Sequence, residues 1–274
     1  MRLISILLFC STQAWAGAPA FEGVAKEEVA KEDEEPEGPQ TDLMVEAGGA
    51  MAGGNSIFWI INGRSFGMHK WKRNRIGFSL GANVGASKVD ADGDGKLSDA
   101  ERQSSFAETS RKYIGHLRYD RFLADKDSVY FSTGGFSDRY AGMDLRANAQ
   151  IGYSRHLIDG EKTTLNAEIG IDLALENFIE GVDPNKNTVL AGRVLIGFSH
   201  KLTEDIVLME SAEVYEGLTD VQDVRVNNTL QLSLKVSDAL SLKLSHALIF
   251  DNVPVEGFRK SDQTSMLTGA VTLF

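Results

Sequence analysis

The chain has 274 residues, with 28 Lys and Arg against 39 Asp and Glu, which gives a net charge of −11 at pH 7. This acidic balance argues against a nucleic-acid partner, because binding to phosphates relies on clustered Lys and Arg. After the N-terminal region, no apolar run approaches the roughly 20 residues that a membrane-spanning helix requires. A helical membrane protein is therefore excluded.

The first sixteen residues have the pattern of a secretory signal peptide. Arg2 supplies the positive charge, an apolar run follows it, and Ala14-Trp15-Ala16 provides the small residues of a cleavage site. We therefore predict that residues 1–16 are removed and that the mature protein begins at Gly17. The single cysteine, Cys10, is then lost, so no disulfide is expected.

Residues 17–41 form an acidic segment with few large apolar side chains. It carries eight Asp or Glu against two Lys, and it contains three prolines. Such a segment buries too little apolar surface to offset the entropy lost on ordering. We predict that it is a disordered linker.

Residues 42–274 alternate apolar and polar residues in segments of about ten, separated by turn residues, which is the pattern of a transmembrane β-barrel. The clearest segment runs from Leu165 to Glu176. Its apolar face carries Leu165, Ala167, Ile169, Ile171, Leu173 and Leu175, and its polar face carries Asn166, Glu168, Asp172 and Glu176. Side chains alternate sides along a strand, so one face suits hydrocarbon and the other suits a polar interior.

Twelve such segments are found, and together they predict an all-β, antiparallel, up-and-down transmembrane barrel. They begin near residues 43, 56, 75, 108, 128, 143, 163, 188, 206, 224, 240 and 262. The connections after even strands are short, and several of those after odd strands are longer. An even strand number and short periplasmic turns place both termini in the periplasm.

Alternation is also expected for a soluble periplasmic β-sandwich or a lipocalin-like barrel, so these remain alternatives. The terminal aromatic residue favours the membrane barrel, because Phe274 resembles the signal read by the outer-membrane assembly machinery. The predicted partners are therefore outer-membrane lipids and, through Phe274, that machinery. The predicted location is the cell outer membrane.

Several short motifs resemble the family described as salt-induced outer membrane proteins, the domain of unknown function 481. The resemblance spans Val45 to Phe274. Its carriers are Val45-Glu46-Ala47-Gly48, Gly54-Asn55-Ser56, Arg118-Tyr119-Asp120-Arg121, Gly152-Tyr153-Ser154-Arg155-His156-Leu157, Leu240-Ser241-Leu242-Lys243-Leu244-Ser245, Asp251-Asn252-Val253-Pro254 and Gly269-Ala270-Val271. The resemblance implies an outer-membrane barrel, and it implies no reaction.

Residues 90–101 depart from that pattern, since they fill the twelve-residue calcium loop of an EF-hand. Calcium takes six to eight oxygen ligands, which such a loop supplies at fixed steps. The candidate ligands are the side chains of Asp90, Asp92, Asp94, Ser98 and Glu101 and the backbone carbonyl of Lys96. Gly95 stands where the loop turns sharply.

The residues before Asp90 have a strand pattern, so the entering helix of a complete EF-hand is absent from the prediction. A lone loop of this kind is expected to bind weakly, with a dissociation constant of about 10⁻⁴ to 10⁻³ M. We predict a structural Ca²⁺ in an outer loop. The alternative is an acidic loop whose Asp-Gly pairs only form turns.

The function expected from these patterns is a structural, envelope-stress or small-solute pore role without catalysis. A lipid-active barrel enzyme is the alternative. Ser199-His200 and Ser245-His246 are adjacent pairs whose members point to opposite faces of a strand, so neither forms a dyad within its strand. The predicted polar lining of the lumen comprises Arg146, Asn148, Gln150, Glu168, Asp172, Arg193, Arg225, Gln231 and Lys235.

Overall fold

The computed structural model describes residues 39–54, 56–94, 96–180, 188–254 and 259–273. Twelve antiparallel strands form one closed barrel, in which consecutive strands are neighbours and β1 pairs with β12. The strands are β1 Gln40–Ala52, β2 Phe58–Trp71, β3 Asn74–Ser87, β4 Ala107–Ala124, β5 Asp127–Asp138, β6 Met143–Asp159, β7 Thr163–Phe178, β8 Thr188–Lys201, β9 Ile206–Gly217, β10 Val224–Lys235, β11 Leu240–Asp251 and β12 Ser261–Thr272. A short helix, α1 (Asp99–Gln103), lies between β3 and β4.

The predicted twelve-stranded antiparallel barrel is confirmed, and a β-sandwich is wrong because all strands belong to one closed sheet. No strand starts more than three residues from its predicted position, since alternation marks the strands and turn residues separate them. β1 begins at Gln40, so Gln40 and Thr41 belong to the wall although the sequence assigned them to the linker. The predicted signal peptide, the linker before Pro39 and Phe274 lie outside the described residues.

The two ends of the barrel differ in their connections. At the turn end, β2 and β3 are joined by Lys72-Arg73 alone. Lys72 has a φ of 49°, a left-handed conformation that reverses the chain in this tight turn. At the loop end, residues 88–106 join β3 to β4 and residues 218–223 join β9 to β10. Both the start of β1 and the end of β12 lie at the turn end.

The wall has apolar side chains on its outward face and polar side chains inside. In β7, Ile169 is 62% exposed, whereas Glu168 and Asp172 on either side of it along the chain are buried. A hydrocarbon environment stabilises this arrangement, because the outward side chains then meet lipid and the closed sheet pairs its backbone. No helix among the described residues is both long and apolar enough to cross a membrane.

Candidate functional site

Four charged side chains from β4, β7, β8 and β9 form a continuous cluster inside the barrel. Glu168 accepts from Nη2 of Arg118 through Oε1 and from Nη1 of Arg193 through Oε2, each at 2.7 Å. Nε of Arg193 also donates to Oε1 of Glu213 at 2.6 Å. All four side chains are buried. Each carboxylate therefore has a guanidinium partner, which is the condition under which charges are tolerated away from water.

The cluster extends toward the turn end through Asp120. Its Oδ1 lies 2.7 Å from Nη2 of Arg118, and its Oδ2 lies 3.2 Å from Nε of Arg75. The phenol of Tyr130 accepts from Nη1 of Arg193 at 2.6 Å, and the guanidinium carbon of Arg118 lies 4.2 Å from the centre of the Tyr130 ring. Tyr130 thus contacts Arg193 by a hydrogen bond and Arg118 by a cation–π interaction.

Two paired glycines make room for the Tyr130 side chain. Gly152 and Gly170 are opposite each other in β6 and β7, on the lumen face. A Cβ on Gly170 would meet the Tyr130 hydroxyl at 2.6 Å, and one on Gly152 would meet the same oxygen at 2.6 Å. These distances are far below van der Waals contact, so the lumen network requires glycine at both positions.

A second group of charges lies nearer the loop end. Oε1 of Glu176 is 3.0 Å from Nη1 of Arg146 and 2.7 Å from Nη1 of Arg225. The Asn148 amide donates to Oδ1 of Asp172 at 2.7 Å. The contacts of Arg146 and Asn148 join the neighbouring strands β6 and β7, whereas the Arg225 contact joins β10 to β7 across the inside of the barrel.

Lumen side chains occupy much of the barrel interior. Each of the twelve strands contributes at least one lumen-facing polar side chain that is buried. One from each strand, in order, is Glu46, Asn62, Ser79, Arg118, Ser132, Gln150, Glu168, Arg193, Glu213, Gln231, Lys243 and Thr268. A wide water-filled channel would leave its lining exposed to solvent.

Most of the predicted lumen residues lie where the alternation placed them. Lys235 is the exception: its side chain is 49% exposed and pairs with Asp238 in the following turn at 2.7 Å. Lys235 lies at the last position of β10, where the wall ends and the long side chain reaches solvent. The sequence reasoning missed Arg118, Asp120 and Glu213 as lumen residues. The alternation of polar and apolar residues in β4 and β9 places these three residues on the polar face, so the same pattern predicts that they face the lumen.

The acidic insert folds as a compact loop at the loop end. Single carboxylate oxygens of Asp90, Asp92 and Asp94 all lie within 4.8 Å of one another. The backbone N–H groups of Gly93 and Lys96 donate to Asp90 Oδ1 and Asp94 Oδ1 at 2.7 and 2.8 Å. The short polar side chains thus turn the backbone around a common centre.

Glu101 folds back over this loop from α1. Its Oε1 accepts from the Ala91 backbone at 2.7 Å, and its Oε2 accepts from the Ser98 backbone and hydroxyl at 2.8 and 2.7 Å. Ser98 is the N-cap of α1, and with Glu101 it forms a capping box. Asp90 and Glu101, the first and last predicted carboxylate ligands, therefore both lie at this loop.

The insert is attached to the barrel by two basic residues. Arg102 donates to the Leu97 carbonyl at 3.0 Å and to the Gly54 carbonyl in the β1–β2 loop at 2.5 Å. Lys88, at the end of β3, bonds to the Ser104 carbonyl. Ordering of the insert is thus coupled to the β1–β2 loop.

The electrostatics of the insert suit a cation. The Asp94 backbone N–H lowers the pKa of Asp92, but the Asp90 side chain and the charge of Asp94 outweigh it, and the pKa of Asp92 is raised. Hydrogen bonds from the Ser98 side chain and backbone lower the pKa of Glu101. Ca²⁺ would relieve the repulsion among the three aspartates. The hard oxygens of Asp90, Asp92, Asp94, Ser98, Glu101 and the Lys96 carbonyl are of the type that this ion prefers, so the residues present fit it. Gly95 lies outside the described residues.

The histidines form cross-strand pairs. As predicted, Ser199 lies inside the wall and His200 lies on its outer side. Three histidines instead bond through Nδ1 to a hydroxyl on an adjacent strand. The pairs are His69 with Thr41 at 2.7 Å, His200 with Thr163 at 2.8 Å and His246 with Ser265 at 2.9 Å. The repetition of one geometry with threonine and serine marks a sheet contact.

One family model matches the chain. It is described as "Protein of unknown function, DUF481" and matches residues 45–271, from β1 to β12. This agrees with the span of the resemblance found in the sequence. A comparison with curated protein sequences finds no match.

Solved structures match in fold. The NanC porin has a TM-score of 0.51 at 9% identity, over 85% of this chain and 100% of that chain. The translocator domain of the autotransporter NalP from Neisseria meningitidis has a TM-score of 0.45 at 13% identity, over 93% and 92%. The KdgM porin in complex with disordered oligogalacturonate has a TM-score of 0.44 at 8% identity, over 86% and 99%. At such identities the likeness to NanC supports the barrel architecture and no shared activity.

Proposed function

The chain belongs to the family described as "Protein of unknown function, DUF481", and from its lumen we propose that it is a structural outer-membrane barrel closed to the diffusion of solutes. The observation that carries this proposal is the buried set of polar lumen side chains, to which every strand contributes. A diffusion pore needs a water-filled path, whereas here the guanidinium and carboxylate groups bond to one another.

The ion pairs also support a mechanical role. The contacts of Glu168 with Arg118 and Arg193 link β4, β7 and β8, and the contact of Arg225 with Glu176 links β10 to β7. Such links stiffen the cylinder beyond what pairing between adjacent strands provides. A stiff, filled barrel suits load-bearing in the envelope better than transport.

Membrane placement is part of the proposal. The apolar outer face supports contact with outer-membrane lipids, and it is the reverse of a soluble lipocalin-like barrel, whose outer face is polar. Short connections at the turn end favour a periplasmic turn end with both termini beside it. We also propose that the outer-membrane assembly machinery recognises Phe274 and that residues 1–16 are removed.

The insert adds a calcium site at the outer surface. Asp90, Asp92, Asp94 and Glu101 would hold Ca²⁺ with their carboxylates, Lys96 with its carbonyl and Ser98 with its hydroxyl or a bound water. The ion would neutralise the clustered charge and order the insert against the β1–β2 loop through Arg102. A lone loop with a dissociation constant of about 10⁻⁴ to 10⁻³ M suits a calcium-rich exterior.

Single-channel recording in planar bilayers tests the closed lumen. We expect no conductance steps from the refolded full chain. The double variant R118A/R193A serves as the matched opened barrel, because it removes two long side chains from the cluster, and it should conduct. Regular conductance steps from the unchanged chain would contradict the proposal and favour a small-solute pore.

Two further measurements address the remaining alternatives. Hydrolysis of phospholipid by the refolded barrel that is lost in His246→Ala would favour a lipid-active enzyme, since His246 contacts Ser265 on the outer face. The envelope-stress role implied by the resemblance to salt-induced proteins predicts a higher level of the protein in cells grown with added NaCl. An unchanged level would remove that part of the proposal.

A further inference from the structure

The connection between β2 and β3 is the most basic one at the turn end of the barrel. It consists of Lys72 and Arg73, and it contains no acidic residue. The other four turn-end connections each carry at least one acidic residue: Asp125, Glu161, Glu204 with Asp205, and Asp238. In a chain with a net charge of −11, the β2–β3 turn is therefore a local concentration of positive charge.

Arg121 of β4 adds a third cation beside this turn. The Phe122 backbone N–H donates to the Arg73 carbonyl at 2.9 Å, so the end of β4 lies directly against the turn. Nη1 of Arg121 donates to Oδ1 of Asn74 at 3.0 Å, and the Asn74 amide donates to the Trp71 carbonyl at 3.4 Å. The Asn74 side chain is neutral, so it positions the Arg121 guanidinium without cancelling its charge. We call Lys72, Arg73 and Arg121 the basic patch.

The charge of the basic patch is not balanced by the protein itself. All three side chains are exposed, and within the part of the chain that the structure describes none of them pairs with a carboxylate. Arg155, an outward cation near the turn end of β6, shows the contrast, because its Nη1 lies 3.6 Å from Oδ1 of Asp127. An anion from outside the chain can therefore bond to the basic patch without displacing a carboxylate.

The backbone of the turn favours a different residue at its first position. Lys72 has a φ of 49°, and it is the only non-glycine residue with a positive φ in the described ranges. Glycine, asparagine and aspartate are the usual residues in this conformation, because other side chains are strained there. Strained backbone of this kind is concentrated at binding and catalytic sites. The turn thus presents a cation at a position where its own geometry disfavours lysine.

Aromatic side chains place the basic patch at the edge of the apolar belt. The outward positions Leu117, Tyr119 and Arg121 of β4 pass from aliphatic to aromatic to charged toward the turn end. Trp71 lies on the outward face of β2, directly opposite Asn74, and its ring stacks on that of His69 with 5.4 Å between the centres. Tryptophan and tyrosine are enriched where a membrane meets water. The cations therefore lie at the depth of lipid headgroups when the barrel is embedded.

We propose that the basic patch binds the headgroup phosphate of an anionic phospholipid in the leaflet that contacts the turn end, with Trp71 and Tyr119 beside the upper part of its acyl chains. Guanidinium and ammonium groups donate charge-assisted hydrogen bonds to phosphate oxygens, and basic residues at a membrane surface attract anionic lipids. The site rests on the proposed membrane placement, and it goes beyond it because the apolar wall alone selects no headgroup.

Quenching of Trp71 by brominated lipids tests the preference. Trp15→Phe/Trp59→Phe leaves Trp71 as the only tryptophan of the full chain. This background chain is refolded into phosphatidylcholine vesicles that contain an equal fraction of either phosphatidylglycerol or phosphatidylcholine brominated near the headgroup end of the acyl chain. We expect phosphatidylglycerol to bind beside Trp71 at least about fivefold more strongly, the factor expected for one cation near a membrane surface. Added NaCl should reduce the preference, because salt screens exposed charges.

Removal of the charges makes the test specific. In the same background, Lys72→Asn/Arg73→Gln/Arg121→Gln should bind the two lipids equally. Asparagine tolerates a positive φ, so the turn keeps its conformation. Arg73→Gln alone should lower the preference and serves if the triple variant does not fold. The matched control is Lys162→Gln/Lys201→Gln/Lys235→Gln, which removes three cations from the turn end of β6 to β10 and should retain the preference.

The possible failures are distinguishable. Equal quenching by the two brominated lipids in the background chain would refute the site and leave the membrane placement intact. A preference that persists in the folded charge-removal variants, or that is lost equally in the matched control, would show that the basic patch is not its source. An absence of quenching by either lipid would refute the membrane placement together with the site.

Discussion

Arg118 and Glu168 are separated by 50 residues in the chain, yet Nη2 of one lies 2.7 Å from Oε1 of the other inside the barrel. The Glu168 side chain has no solvent exposure, and its second oxygen bonds to Arg193. Glu168 thus bridges two buried guanidiniums, each of which has one further carboxylate partner, Asp120 or Glu213. The stability of the barrel should depend on it more than on any exposed acidic residue.

Glu168→Gln should destabilise the barrel by about 3 kcal/mol, because the buried Arg118 and Arg193 are then left with only one carboxylate partner each. Urea unfolding in lipid vesicles, followed by tryptophan fluorescence, measures the change. Glu204→Gln, in the exposed connection between β8 and β9, is the matched control and should stay within about 0.5 kcal/mol of the unchanged chain. Equal losses for the two variants would refute the central role of Glu168.

Gly170→Ala should cost about 1–3 kcal/mol, because the new methyl group would lie 2.6 Å from the Tyr130 hydroxyl and 2.7 Å from the Ile151 carbonyl oxygen. Gly77→Ala is the control: it also lies on the lumen face, and its Cβ would meet nothing nearer than the Gly67 carbonyl at 3.6 Å. In a Tyr130→Phe background the hydroxyl is absent, so the penalty of Gly170→Ala should shrink. Thermal unfolding in vesicles measures the penalty of Gly170→Ala in both backgrounds. An equal penalty in the two would show that the Tyr130 hydroxyl is not its cause.

Calcium should raise the unfolding temperature of the full chain, because an ion that binds the folded loop stabilises it by mass action. Asp90→Asn should abolish the increase, since it removes the first ligand of the loop. Asp99→Asn in α1 is the matched control, an acidic residue of the same insert outside the predicted ligand set, and should leave the increase intact. A calcium response that survives Asp90→Asn would refute this site.

Calcium binding by the insert should weaken as pH falls, and earlier than for an ordinary aspartate. The raised pKa of Asp92 means that it takes up a proton at higher pH than usual, and a protonated carboxyl is a poor ligand. Without calcium, the raised pKa of Asp92 has the opposite effect on the stability of the folded loop. The folded loop favours the protonated carboxyl, so this stabilisation is present at low pH and is lost as pH rises through the raised pKa. Titration calorimetry between about pH 7 and pH 4 tests this, and an affinity independent of pH would contradict it.

The fold was predictable because two faces of each strand meet different surroundings. In β7, Ile169 and Glu168 are assigned to opposite faces by period two alone, and the structure agrees. In β2 alternation does not assign the faces, because Phe58, Trp59 and Ile60 are all apolar. The register places Phe58 and Ile60 on the lumen face.

The partners inside the lumen could not be predicted in the same way. Alternation tells that Arg193 points inward, but its contact with Glu168 depends on the relative height of β7 and β8, and its contact with Tyr130 depends on barrel closure. The pairing of β1 with β12 likewise follows from closure, which no local pattern encodes. The insert is the opposite case, because its ligands lie within one twelve-residue stretch and the loop brings three of them together.

The most direct test of the barrel's membrane placement asks which side of the wall meets lipid. Two tryptophan probes test this in a Trp59→Phe/Trp71→Phe background: Ile169→Trp on the outward face and Tyr130→Trp in the lumen. In vesicles of lipids brominated midway along the acyl chain, we expect strong quenching of the probe at residue 169 and little quenching at residue 130. Equal quenching of both probes, or stronger quenching at residue 130, would contradict the account.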